Sequence, residues 1–138
     1  MNDAAPPTMP GGWYVAFFDG PKRHWWWPLC RPGFRHCLAF AYDARLAVWL
    51  IYEVTQRRTW LKAMTSAEMD SWIAALPARH TILHLEGGDD VSVPRIGFWC
   101  TPAVAHLVGA RGRALRPQAL YRDLVLQGAR PAFEGGET

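Results

Sequence analysis

Three cysteines, Cys30, Cys37 and Cys100, and five histidines are the residues in this chain best suited to nucleophilic chemistry. Cys100 stands apart by its neighbours. Thr101 can cap a helix, Pro102 suits its first position, and Gly109 suits its C-terminal stop. A sulfur at that edge faces unpaired backbone N–H groups and the positive end of the helix dipole, both of which favour an anion. The thiolate is the nucleophilic form of cysteine, and a helix N-terminus is one place where its pKa falls. The same position also fits an inert thiol buried beside Phe98 and Trp99.

A nucleophilic thiol needs a base, and the base needs a group to orient it. The runs FRHCLAFAY and AVWLIYEVT flank a short polar break and predict an antiparallel hairpin. With the turn centred on Ala44–Arg45, His36 faces Glu53, Leu38 faces Ile51, Phe40 faces Trp49 and Tyr42 faces Ala47. Side chains alternate along a strand, so all eight share one face. His36 and Glu53 are then an isolated polar pair on an apolar surface. A carboxylate beside an imidazole fixes its tautomer and supports the imidazolium. A one-residue slip of the turn would set Tyr52 or Val54 opposite His36 instead. His84, on a later strand with His80, is the alternative base. Trp25, Trp26 and Trp27 precede His36, and Trp99 adjoins Cys100. Together they are candidate walls for a substrate groove, although two of the three consecutive tryptophans would serve equally as core.

Other chemistries have weaker support. His24, Cys30, His36, Cys37 and Cys100 are all zinc-ligand types, but no CxxC or HxxxH pair is present, and His36 and Cys37 point to opposite faces of one strand. A Cys30–Cys37 disulfide is geometrically open and disfavoured in a reducing compartment, which the odd cysteine count fits. Arg111, Arg113, Arg116 and Arg122 read as a solvated face. A net charge of +3 without aromatic interleaving does not argue for nucleic acid.

The elements that must hold these groups follow from pattern and composition. The chain has 138 residues, 50% hydrophobic and 20% charged, enough apolar material for one core and too much for disorder. Eight Trp, six Phe and four Tyr make that core aromatic. No apolar run approaches the roughly 20 residues of a membrane span. Strands are predicted at Trp13–Phe18, in the hairpin, at Thr59–Met64 and at His80–Glu86, with GGDD turning into VSVPRI. Thr65 and Glu68 form a capping box. Behind it Met69, Trp72, Ile73 and Leu76 recur at helical spacing up to Pro77. A helix opens near Thr101, its Val104, Leu107 and Val108 expected to pack on the His36 face (Leu38, Phe40, Trp49, Ile51), and a last one runs from about Pro117 to Gln127. The expected domain is α+β, spanning 13–127 between flexible arms at 1–12 and 128–138. The N-terminus MNDAAPPTMPGG lacks the pattern of a secretory signal, so a cytoplasmic site of synthesis is expected.

Three stretches resemble a known family: HWWWPLCRPGFRHCLAF, the hairpin strand ending in Glu53, and FWCTPAVAHLVGARGRALRPQALYRDL. They are similar to circularly permuted papain-fold proteins of the NlpC type, in the short variants of phage and prophage structural gene clusters. The likeness covers roughly Trp25 to Leu124. Arg116-Pro117 stands where the family has Thr-Pro. The resemblance implies an antiparallel sheet packed by helices in a permuted papain-like arrangement, with His36 preceding Cys100. It also implies a thiol hydrolase that needs no cofactor or metal, with Cys100 as nucleophile, His36 as base and Glu53 as orienter. The implied substrate is an amide, such as bacterial cell-wall peptide, and the implied setting is a phage tail or tail-like particle. Two other readings remain open: a catalytically silent virion adaptor that docks partner proteins, and an acyltransferase.

Overall fold

A computed structural model describes residues 11–20, 26–55, 58–86 and 99–133. Strand β1 (Trp13–Phe18) is followed by a short 3-10 turn at Trp27–Leu29, then β2 (His36–Asp43), β3 (Val48–Val54) and β4 (Thr59–Met64). Helix α1 (Ser66–Ala74), β5 (His80–Leu85), α2 (Cys100–Val108), α3 (Pro117–Leu126) and β6 (Arg130–Pro131) complete the order. The six strands form one open antiparallel sheet, β4-β3-β2-β1-β5-β6. This is an α+β domain with three helices among the described residues. No described helix is long and apolar enough to cross a membrane.

Strand alternation divides the apolar residues between two faces. One face gathers Ala16, Leu38, Phe40, Ile51 and Ile82 beneath α1, which contributes Met69, Trp72 and Ile73. The other gathers Val15, Phe17, Cys37, Ala39 and Leu83 beneath α2 and α3, which contribute Val104, Val108, Leu120 and Leu124. Phe17 and Phe40, one for each layer, are fully buried, and removing such side chains from water stabilises by about 1.5–3 kcal/mol each. The α2 face of β2 carries only small side chains, Cys37, Ala39 and Ala41, all buried. Small residues let the helix backbone come close to the strand. Gly109 ends α2 in the left-handed region, φ 73°, which glycine adopts without a Cβ penalty.

The structure departs from the sequence reading in four places. First, the β2–β3 register is shifted: Phe40 pairs with Ile51 and Tyr42 with Trp49. The turn is longer than expected, because Asp43 Oδ1 accepts from the N–H groups of Arg45 and Leu46 and Ala47 takes a positive φ of 53°. Second, α2 begins two residues early, with Trp99 and not Thr101 at its N-cap and Cys100 inside the helix, and no side chain caps it. Third, α2 lies on the Cys37–Ala39 face and not on the expected Leu38–Phe40–Ile51 face, which α1 already covers. Fourth, the chain beyond residue 128 does not begin as a free tail. Arg130 pairs with His84, and the Ala132 N–H donates to Ile82 O. Phe133 packs on Tyr14 and Phe40. The expected strand VSVPRI, residues 1–10 of the N-terminal arm and residues 134–138 of the C-terminal one lie outside the described residues.

The α1 start is as expected: Thr65 Oγ1 accepts from Glu68 N–H, and Glu68 Oε1 accepts from Thr65 N–H. Replacing Thr65 with Ala should cost about 1 kcal/mol in urea denaturation. Because α1 covers the face opposite α2, the substitution should leave Cys100 alkylation unchanged in the folded protein.

Candidate active site

His36 opens β2, and Cys37 follows it on the opposite face of the strand. The first turn of α2 descends onto this end of β2, and Thr101 is the point of contact. Its buried hydroxyl lies 4.0 Å from Cys37 Sγ and 3.9 Å from Cys100 Sγ. Both sulfurs therefore flank one oxygen. His36 Nε2 hydrogen-bonds Glu53 Oε2 at 3.0 Å, and the ring packs edge-on to Phe18. Extending the observed register sets Leu38 beside Glu53, so His36 reaches the carboxylate diagonally across the strands. A diagonal of this kind is within reach of long side chains. The expected pair therefore exists, by a different route. Glu53 occupies Nε2, which leaves Nδ1 as the ring nitrogen available to a thiol.

The electrostatics tie the groups together. Burial alone would lower the His36 pKa, but hydrogen bonding and charge interaction with Cys100 and Glu53 outweigh it and raise the value to about 9. Cys100 moves the other way, well below the ordinary thiol range. Its largest influence is a hydrogen bond from the Cys37 side chain; burial opposes it, and hydrogen bonding and charge from His36 add to it. Cys37 is fully buried, and burial, followed by its interaction with Cys100, holds it firmly as a thiol. Burial likewise raises Cys30, with a further rise from the Cys100 charge. These shifts favour a thiolate at Cys100 and an imidazolium at His36, with Cys37 as a neutral thiol beside them. A helix N-terminus adds its dipole in the same sense.

The signs fix the pH behaviour. His36 is raised from 6.5 to about 9, so the stability it contributes is complete below about pH 6.5 and is lost as pH rises towards 9. Cys100 is lowered, so its contribution is present at alkaline pH and is lost as acid protonates the sulfur. The pair is intact between those limits.

Around the pair, Trp99 is 38% exposed, and its indole Nε1–H donates to Leu115 O at 2.8 Å. Trp27 stacks under the Arg35 guanidinium, 4.6 Å from its carbon to the ring centre, and Arg35 also pairs with Asp19. The turn carrying Trp27 is held by Leu29 O, which accepts from Arg116 Nη1 and Gln118 Nε2. Trp26 is half-buried, and Trp25 lies outside the described residues. Cys37 and Thr101 take part in a way that sequence spacing did not assign to them, as neighbours of the Cys100 sulfur. His84, the alternative base, pairs with Tyr14 towards the other end of the sheet and stacks on its ring. Among the described residues no group of three His, Cys, Asp or Glu is placed to hold a metal ion.

Comparison with protein-family models, with curated proteins and with solved structures found no match.

The electrostatic arrangement sets the order of thiol reactivity. An ordinary thiol is only a few tenths of a per cent ionised at pH 6, and low-pKa thiolates lose part of their advantage to reduced nucleophilicity. Iodoacetamide at pH 6 should therefore label Cys100 at least about tenfold faster than Cys30 or Cys37, read by peptide mass spectrometry. In His36→Ala the rate should fall off at a higher pH than in the parent. Equal labelling of all three cysteines in the folded protein would contradict an activated Cys100.

Proposed function

We propose that this chain is a small thiol hydrolase acting on amide bonds, with Cys100 as nucleophile, His36 as base and Glu53 as orienter. The observation that carries the reading is the His36–Glu53 hydrogen bond beside a cysteine whose acidity is shifted by that same histidine. Perturbed titrations of opposite sense in neighbouring groups are a feature of catalytic acid–base pairs. The base and its carboxylate lie on strands that precede the nucleophile's helix, an order that supports a circularly permuted papain-like fold. Sequence resemblance to phage and prophage proteins supports bacterial cell-wall peptide as the substrate class and a tail or tail-like particle as the setting.

In this scheme the Cys100 thiolate attacks the substrate carbonyl carbon, and the electron pair of the C=O bond moves to oxygen. The Cys100 backbone N–H, which at the first turn has no partner within the helix, would stabilise that oxyanion. His36 gives its proton to the departing amine as the carbon–nitrogen bond breaks, leaving a thioester. Neutral His36 then takes a proton from water, whose oxygen attacks the thioester and releases the acid. Glu53 holds the ring and supports its charge throughout.

One observation favours a second reading, a virion adaptor without catalysis. Among the described residues strand β4 is an edge of the sheet, and Trp60 and Leu61 on it are 50% and 73% exposed. Apolar side chains on an open edge suit docking of another chain.

Purified peptidoglycan incubated with the protein should release free amino groups, measurable by mass spectrometry of the soluble products. Cys100→Ala and His36→Ala should abolish release, whereas Glu53→Gln should retain activity reduced by about 10²-fold or more. Full biological function of Cys100→Ala protein would establish the adaptor in place of the hydrolase.

A further inference from the structure

The hydrolase scheme uses one sulfur, yet a second fully buried thiol lies beside it. We infer that Cys37 and Cys100 form a redox pair, in which hydrogen peroxide oxidises Cys100 and Cys37 closes a disulfide that reversibly shuts the site. The inference rests on the assignment of Cys100 as a thiolate nucleophile and adds the regulation of that same centre.

Two features of the geometry support it. Both sulfurs lie against the same Thr101 hydroxyl, at 4.0 and 3.9 Å, and Cys37 is the largest influence lowering the Cys100 pKa. Helix α2 packs on small side chains of β2, Cys37 and Ala39, which permits the close approach that a disulfide between two elements requires. Cys30, also buried, lies in the turn before β2, and it is Cys37 and Cys100 that meet the Thr101 hydroxyl. Cys37 is therefore the neighbour placed to react.

The chemistry balances with peroxide as the oxidant. The Cys100 thiolate attacks one oxygen of hydrogen peroxide; the O–O bond breaks, hydroxide leaves, and the sulfur is oxidised by two electrons to sulfenic acid. Loss of the Cys100 charge removes one of the influences that hold Cys37 as a thiol. Its sulfur then attacks the sulfenic sulfur, an S–S bond forms, and the departing hydroxide takes the Cys37 proton to leave as water. The disulfide protects Cys100 from irreversible sulfinic acid and withdraws the nucleophile from His36. A dithiol reductant reverses it by exchange.

The test treats the full-length protein with stoichiometric hydrogen peroxide, blocks remaining thiols with N-ethylmaleimide under denaturing conditions, and maps the peptides. The expected product is a Cys37–Cys100 linked peptide with Cys30 carrying the maleimide, an intact mass lower by about 2 Da before blocking, and Cys100 alkylation restored by dithiothreitol. Cys30→Ser should give the same linkage. Cys37→Ser should instead accumulate Cys100 sulfinic acid, which dithiothreitol does not reverse. Oxidation of Cys100 with Cys37 left free in the parent protein would overturn the pair while leaving the thiolate nucleophile standing. A Cys30–Cys100 linkage would overturn it equally. Formation of the Cys37–Cys100 bond in a protein that releases nothing from peptidoglycan would uphold the pair and sink the hydrolase.

Discussion

The seating of the first turn of α2 on the start of β2 is the contact on which the site depends. Cys37, Ala39 and Ala41 are small and buried, so the helix lies close, and Thr101 comes to rest between two sulfurs. A larger residue at Ala39 would overpack the layer, at a cost of about 1–3 kcal/mol, and lift the helix. Cys100 would then lose Cys37 and His36 together. The apolar layer formed by Val104, Val108, Leu120 and Leu124 presses the helix down, so hydrophobic burial and the polar centre are one construction.

Burial and charge oppose each other at this centre, and the magnitudes decide which prevails. An isolated thiolate taken from water into the protein would cost several kcal/mol and would simply protonate. A helix dipole offsets about 0.3–1 kcal/mol of that, up to about 2 in a favourable partly buried geometry, too little alone. A counter-charge at His36 and a hydrogen bond from Cys37 supply the remainder, and burial strengthens both by lowering the local dielectric. Glu53 is part of the same balance. Without it, burial would favour neutral imidazole, and the thiolate would lose its cation.

Much of this was legible in the residues. Alternation placed His36 and Glu53 on one face, and that survived a register shift because the shift was by two residues, which preserves parity. The Thr65–Glu68 box, the α1 apolar stripe and the Gly109 stop were local signals that the fold obeys. What could not be read was a choice between equivalents. Both faces of β2 are apolar, and periodicity does not say which helix covers which. A usable signal was size: Leu38 and Phe40 fit the bulky stripe of α1, whereas Cys37, Ala39 and Ala41 fit a close helix. The hairpin register failed on turn chemistry, because an Asp43 side chain that caps two N–H groups extends the loop. The role of Phe133 was hidden by the Gly- and Pro-rich sequence around it, since a single aromatic suffices to anchor a terminal strand on Tyr14.

The central claim is that Cys100 and His36 exist together as a charged pair, and the imidazole titration tests it most directly. Two-dimensional NMR of the labelled His36 ring across pH should give a pKa of about 9 in the parent protein. In Cys100→Ser, where the neighbouring group stays neutral, the value should fall back towards or below the ordinary histidine value of about 6.5. A His36 that titrates near 6.5 in both proteins would contradict the pair, and with it the chemistry assigned to this site.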